Sequence, residues 1–161
     1  WSNNFMAEAL LKELSPDAPA TWHTGVQRAG ESLLGLGLEQ ESFELVNGSG
    51  LYMATRTTPR ALTELLFRML GDPDLGSRYR ESLGEAGGEG WLRHRLKGQS
   101  TRGRVRAKTG TLDEVVSLAG IVPTRTGGEL LFSIIINEAT GKKTRALRKA
   151  IDSLVTTLSR R

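Results

Sequence analysis

Two short runs of this 161-residue chain hold residue types that can do chemistry. Ser2-Asn3-Asn4 sets a hydroxyl and two amides ahead of a helical pattern. Lys108-Thr109-Gly110 sets a cation, a hydroxyl and a bare backbone position where a strand meets a turn. Each has a purely structural explanation, since Ser and Asn are preferred helix caps and Lys-Thr-Gly can simply end a strand. At a spacing of two, Arg102, Arg104, Arg106 and Lys108 are predicted to share one strand face, an electropositive approach suited to an anion such as a carboxylate. The plain alternative is an exposed sheet edge guarded by charge.

These residues need elements to position them. Phe5, Met6, Ala9, Leu10 and Leu14 recur at helical spacing over 4–14, and Pro16 ends the run. Val26, Ala29, Leu33 and Leu34 mark a second helix, stopped by Gly35 and Gly37. "FELV" reads as a strand that empties into the turn "NGSGL". Thr58-Pro59 opens a third helix with a capping hydroxyl and a proline at its first position, and Gly71 closes it. A short helix is predicted over 75–83, then the flexible loop "GEAGGEG", then about two helical turns in "WLRHRLKG". From there the period changes to that of a sheet. Residues 104–108, 115–122 and 130–137 read as three strands joined by "TGTLDE" and "TRTGGE", connections short enough for an antiparallel meander. "LLFSIII" is apolar on both faces, which predicts a central or helix-covered strand. A final helix carrying Leu147, Ile151, Leu154, Val155 and Leu158 would cover one face.

Composition narrows the chemistry. With 38% hydrophobic and 25% charged residues the chain can build one ordinary core. The absence of cysteine removes thiol nucleophiles and disulfides and leaves the redox compartment open. His23 and His94 stand far apart, so neither a metal nor a cofactor is expected. No apolar run reaches the roughly 20 residues of a membrane span. The first methionine is Met6, inside a helical pattern, and the chain is therefore expected to be a mature product or a segment of something longer. The net charge of +4 suits an anionic partner without choosing among nucleic acid, an acidic polymer and a carboxylate substrate.

In their order and on these elements, the two runs match two of the three signatures of the serine penicillin-recognising enzymes, S-x-x-K, S-x-N and K-T-G. "RGRVRAKTGTLDEVVSLAGIV", "GWLRHRLKG", "NGSGL" and "TTPRALTELL" extend the match. Over nearly its whole length the chain resembles the class C penicillin-binding proteins, the D-alanyl-D-alanine carboxypeptidase/endopeptidase family. The resemblance implies an α+β fold of the β-lactamase/transpeptidase type, an antiparallel sheet flanked by helices, here as an incomplete domain. It implies a serine that attacks the penultimate D-Ala carbonyl, an acyl-enzyme that water hydrolyses, and penicillin as a mimic that stalls there. By position, Ser2 would relay a proton towards the leaving nitrogen and Asn4 would hold the substrate amide. Lys108 would orient Ser2 and supply positive charge, and Thr109 would bind the terminal carboxylate. Gly110 would let substrate backbone lie close along the strand, and the Thr111 N–H would form half of an oxyanion hole. The implied partners are a peptidoglycan stem peptide, β-lactams and the missing N-terminal part of the domain, in a periplasmic or other extracytoplasmic setting.

The chain departs from that family in one large respect. No serine in it has a lysine three residues on, so S-x-x-K is absent, and this polypeptide alone is expected to form no acyl-enzyme. A smaller departure follows "NGSGL", where Asn47, Tyr52 and Thr55 replace the family's usual residues. The reading from another class is a non-catalytic peptidoglycan-binding or interaction module. Nucleic-acid binding lacks an aromatic platform among the cations, "GKKT" lacks the first glycine of a Walker loop, and no G-x-S-x-G exists. A class A β-lactamase shares the three motifs, and the surrounding segments favour the carboxypeptidase.

Overall fold

The computed structural model describes residues 2–53, 55–141 and 143–161; the opening Trp1, Ala54 and Lys142 of "GKKT" lie outside the described residues. The chain divides into two compact units, residues 2–65 and 66–161.

In the first unit, α1 (Asn4–Glu13) and α2 (Trp22–Gly35) pack against each other, and their sequence signals are local. The Asn3 side chain accepts from the Met6 N–H and Thr21 accepts from the Thr24 N–H, each meeting an orphan donor of a helix start. Gly37, at φ 88°, closes α2: its N–H donates to Leu34 O and the Leu38 N–H to Leu33 O. The helices approach closely at Gly25, where a Cβ would run into the carbonyl oxygen of Leu11. Leu11 is thus the buried residue of α1, while Phe5, Met6, Leu10 and Leu14 stay exposed. The helical period of α1 was legible, but its apolar stripe is not the face that packs on α2. "FELV" contributes only β1 (Phe43–Glu44), paired antiparallel with β2 (Arg56–Thr57).

α3 (Pro59–Gly71) starts as the sequence predicts, with Thr58 Oγ1 accepting from the Ala61 N–H. Its second half belongs to the second unit, followed by α4 (Gly76–Ser82) and β3 (Gly84–Glu85). Then come β4 (Arg106–Thr111), β5 (Val115–Pro123), β6 (Glu129–Asn137) and α5 (Lys143–Leu158). The sheet order is β3-β4-β5-β6, all antiparallel, so the expected meander is present. Alternation assigns the faces. Ala107, Val116, Leu118, Phe132, Ile134 and Ile136 meet Leu147, Ile151 and Val155 of α5 on one side. Ile121, Ala119 and Leu131 meet Leu66, Leu70, Tyr79 and Leu83 on the other. This is an α+β unit with a sheet between helices.

Two expectations change and a third is narrowed. "WLRHRLKG" holds a single 3-10 turn, Gly90–Leu92, followed by turns, not two helical turns. Leu92 and Leu96 are both buried and four apart, which imitates a helical period, but Leu96 sits at φ 51° and breaks it. "GEAGGEG" supplies β3 where a loop was expected, its pairing set by Ala107 and Arg106 across the ladder. β6 meets the second of its two alternatives: it stands last in the sheet order and is covered on both faces by the clusters above.

Ser133 Oγ, opposite Ala119 on β6, is buried with no hydrogen-bond partner among the described residues. A lone buried hydroxyl costs about 1–3 kcal/mol of desolvation. Ser133→Ala should therefore leave the melting temperature unchanged or raise it; a fall of several degrees would show that the hydroxyl has a stabilising partner.

Candidate active site

The site is built on β4. Leu112 and Val115 exchange backbone hydrogen bonds across the tight turn, N to O at 2.9 and 3.4 Å. The alternation of an antiparallel ladder then makes Gly110–Ser117 and Lys108–Ala119 hydrogen-bonded pairs, and turns the N–H and C=O of Thr109 and Thr111 away from β5. On that outer side β3 pairs only with Arg106 and Ala107. The stretch Lys108–Thr111 therefore presents an open edge within its unit, and an extended peptide could add to it as a further strand.

Strand alternation divides the four residues. Thr109 and Thr111 share the α5 side of the sheet, and Arg148 of α5 donates from Nη2 to Thr111 Oγ1 at 3.0 Å. Lys108 and Gly110 look to the opposite side, in one row with Ala119 and Ser133 and beside Ser117. Lys108 Nζ donates to Thr109 O at 2.7 Å. The residue is exposed by area, yet enough protein crowds its ammonium that desolvation pushes its pKa below the ordinary lysine value.

Gly110 lies against Ser117 of its own sheet. A Cβ there would meet Ser117 Oγ of the paired strand, a hydroxyl that a χ1 rotation moves aside, so an added side chain needs only that one neighbour to turn. The run 108–111 lies within the strand, which starts at Arg106 instead of ending at Lys108.

The expected row of four cations is corrected. Arg102 and Arg104 fall in the turn before β4 and are not strand residues. Arg106 shares the Lys108 face, but its guanidinium is neutralised by Glu85 at 2.9 Å and also reaches Leu83 O at 3.5 Å. Of the four, Lys108 alone remains on the site-bearing part of the strand.

In the other unit, Ser2 and Asn4 flank the cap residue Asn3, so capping occupies the middle residue of the tripeptide. Ser2 and Asn4 are both exposed at the start of α1. The helix beneath them is clamped by "NGSGL". Glu8 accepts from the N–H groups of Gly48 and Ser49, at 3.2 and 2.9 Å, and from Ser49 Oγ at 2.5 Å. Chiefly the Ser49 hydroxyl holds the Glu8 carboxyl below its usual pKa. Asn47 closes the loop, accepting from the Gly50 N–H and donating to Leu51 O, and Thr55 Oγ1 accepts from the N–H groups of residues 46 and 47. Gly48 lies against Ala7, where a Cβ would come within 2.6 Å of the carbonyl oxygen. Asn47 and Thr55 thus hold the loop that holds α1, while Tyr52, at φ 64°, is exposed.

The structure therefore brings Lys108, Thr109, Gly110 and Thr111 together on one edge and Ser2 with Asn4 at one helix start, in separate units. Sequence reading missed Ser117, Glu85 and Arg148. The first two needed the strand register, and Arg148 needed the packing of α5. Among the described residues no group of three or more His, Asp or Glu side chains is placed to hold a metal ion.

Residues 1–158 match the D-Ala-D-Ala carboxypeptidase 3 (S13) family. A D-alanyl-D-alanine carboxypeptidase of Actinomadura sp. (strain R39) is 35% identical over 158 residues, covering 94% of this chain and 29% of that protein. Penicillin binding protein 4 of Haemophilus influenzae, solved in complex with a β-lactam, superposes with a TM-score of 0.87 at 26% identity, over 99% of this chain and 39% of the other. The TLA-1 extended spectrum β-lactamase shares the fold alone, with a TM-score of 0.64 at 18% identity over 83% of this chain. The chain spans about a third of the length of the curated relatives it matches. With that match along almost its full length, and with Lys108 to Thr111 set on an open strand edge, the chain belongs to the D-Ala-D-Ala carboxypeptidase 3 (S13) family.

Proposed function

We propose that this chain is the C-terminal portion of a serine D-alanyl-D-alanine carboxypeptidase/endopeptidase domain, acting outside the cytoplasm on peptidoglycan stem peptides and acylated by penicillin. The observation that carries the reading is the open edge of β4, where Thr109 and Thr111 turn their backbone groups outward and Lys108 stands on the adjoining face. A stem peptide lies along that edge. The Thr111 N–H supports the oxyanion and Thr109 takes the terminal carboxylate. Ser2, at the start of α1, passes a proton to the leaving nitrogen, and Asn4 holds the substrate amide.

The nucleophile comes from an S-x-x-K helix that this sequence does not contain. In the named relatives about two thirds of the length lies outside the matched region, which leaves room for it. The exposed Phe5, Met6, Leu10 and Leu14 of α1 form an apolar face that such a portion of the domain covers. Ser2→Ala in the full-length protein should slow acylation by a fluorescent penicillin about 100-fold or more, with unchanged melting. Acylation at the wild-type rate would remove Ser2 from the mechanism.

The absence of S-x-x-K also supports a second reading, a peptidoglycan-binding module that keeps the cleft without its chemistry. It predicts stem-peptide binding with no covalent penicillin adduct on the full-length protein.

A further inference from the structure

On the described residues, most arginines that reach across the fold end on a carboxylate. Arg80 makes a two-pronged pair with Glu129, Arg95 with Asp152, and Arg106 meets Glu85. Arg148 does not. Half-buried on the first turns of α5, beside the core residue Leu147, it has no carboxylate within ion-pair distance among the described residues, and its guanidinium ends on the neutral hydroxyl of Thr111.

A guanidinium has five N–H donors in a fixed fork that suits a carboxylate. One is used on Thr111 Oγ1. Because that oxygen accepts from Arg148, the hydroxyl is left to donate its own proton outward, and Thr109, two residues back, stands on the same side of the strand. The result is an array of three donors, the hydroxyls of Thr109 and Thr111 and the remaining N–H groups of Arg148, at an open edge with one uncompensated positive charge. Such an array selects an anion with two or more acceptor oxygens over a neutral amide.

We propose that Arg148 is a specificity-determining residue that binds the free C-terminal carboxylate of the substrate and favours peptides ending in a free acid over those amidated or extended beyond the scissile bond. The proposal rests on the peptidase reading above. It assigns the preference for carboxypeptidase over endopeptidase action to a side chain of α5 acting with the threonine hydroxyls of β4.

The test uses the full-length protein, wild type, Arg148→Gln and Arg148→Lys, with N-acylated Lys-D-Ala-D-Ala as the free acid and as its C-terminal amide. The wild type should cleave the acid faster. In Arg148→Gln, kcat/KM on the acid should fall about 10- to 100-fold, chiefly through KM, with the amide little changed, and Arg148→Lys should recover part of the loss. A variant that merely folds badly would lose both substrates equally, so the acid-to-amide ratio carries the answer. An unchanged ratio in Arg148→Gln overturns the proposal while leaving the peptidase reading intact. A wild type that cleaves neither peptide and takes no penicillin overturns both.

Discussion

Lys108→Ala in the full-length protein should slow acylation by benzylpenicillin by about 100- to 10,000-fold while the protein melts as before. The size follows from the two tasks assigned to the side chain, orienting a proton-transferring hydroxyl and setting positive charge where charge develops, each of which is worth factors of that order. Thermal stability should survive because Lys108 is exposed and forms no part of either buried cluster. The pH dependence carries a sign. Crowding by protein lowers the Lys108 pKa, so the cation is the full population only below that depressed value. Acylation that depends on the cation should decline as pH rises through it, starting lower than an ordinary lysine with a pKa near 10.4 would allow. Acylation that instead climbs through this range would make Lys108 a base rather than a fixed charge.

Gly25→Ala should destabilise the protein by about 1–3 kcal/mol, the usual cost of forcing atoms into a packed contact. The added Cβ would strike the Leu11 carbonyl oxygen, a backbone atom of α1 that cannot swing aside. Gly30→Ala, on the same helix, is the control. A Cβ there meets nothing within 4 Å, so the substitution should stabilise by up to about 1 kcal/mol through helix propensity. The pair also tests how α1 serves the site. Ser2 and Asn4 ride on the start of α1, which is held by Gly25 and by the Glu8 clamp on Ser49. Gly25→Ala should therefore slow penicillin acylation as well, and Gly30→Ala should not. Equal melting temperatures for the two variants would mean that the helices separate at no cost.

Where candidate site residues and helix or turn signals sit next to each other in sequence, the sequence shows them. Thr58-Pro59 and Gly71 mark both ends of α3, and Gly127, at φ 88°, marks the turn between β5 and β6. These signals are local, a cap, a ring-fixed φ and a left-handed turn. Lys108-Thr109-Gly110 was visible for the same reason. Its geometry was not, because the partition of Lys108 and Gly110 to one face and Thr109 and Thr111 to the other depends on where the strand begins. A start at Arg104 promised a row of four cations. A start at Arg106, with Arg102 and Arg104 left in a turn and Arg106 held by Glu85, leaves Lys108 as the one of the four on the candidate stretch of the strand. Leu92 and Leu96 misled through period alone. Ser117 and Arg148 act on the motif from partners 7 and 37 residues away from Gly110 and Thr111, and only register and helix packing bring them there.

The central claim is that these 161 residues position and polarise a substrate whose attacking serine lies elsewhere in the protein. Treating the full-length protein with benzylpenicillin, then measuring intact mass and mapping the modified peptide, tests it most directly. The expected result is one penicilloyl adduct on the serine of an S-x-x-K sequence outside residues 1–161, lost or greatly slowed in Lys108→Ala. An adduct on any serine within these residues, or no adduct at all, would contradict it.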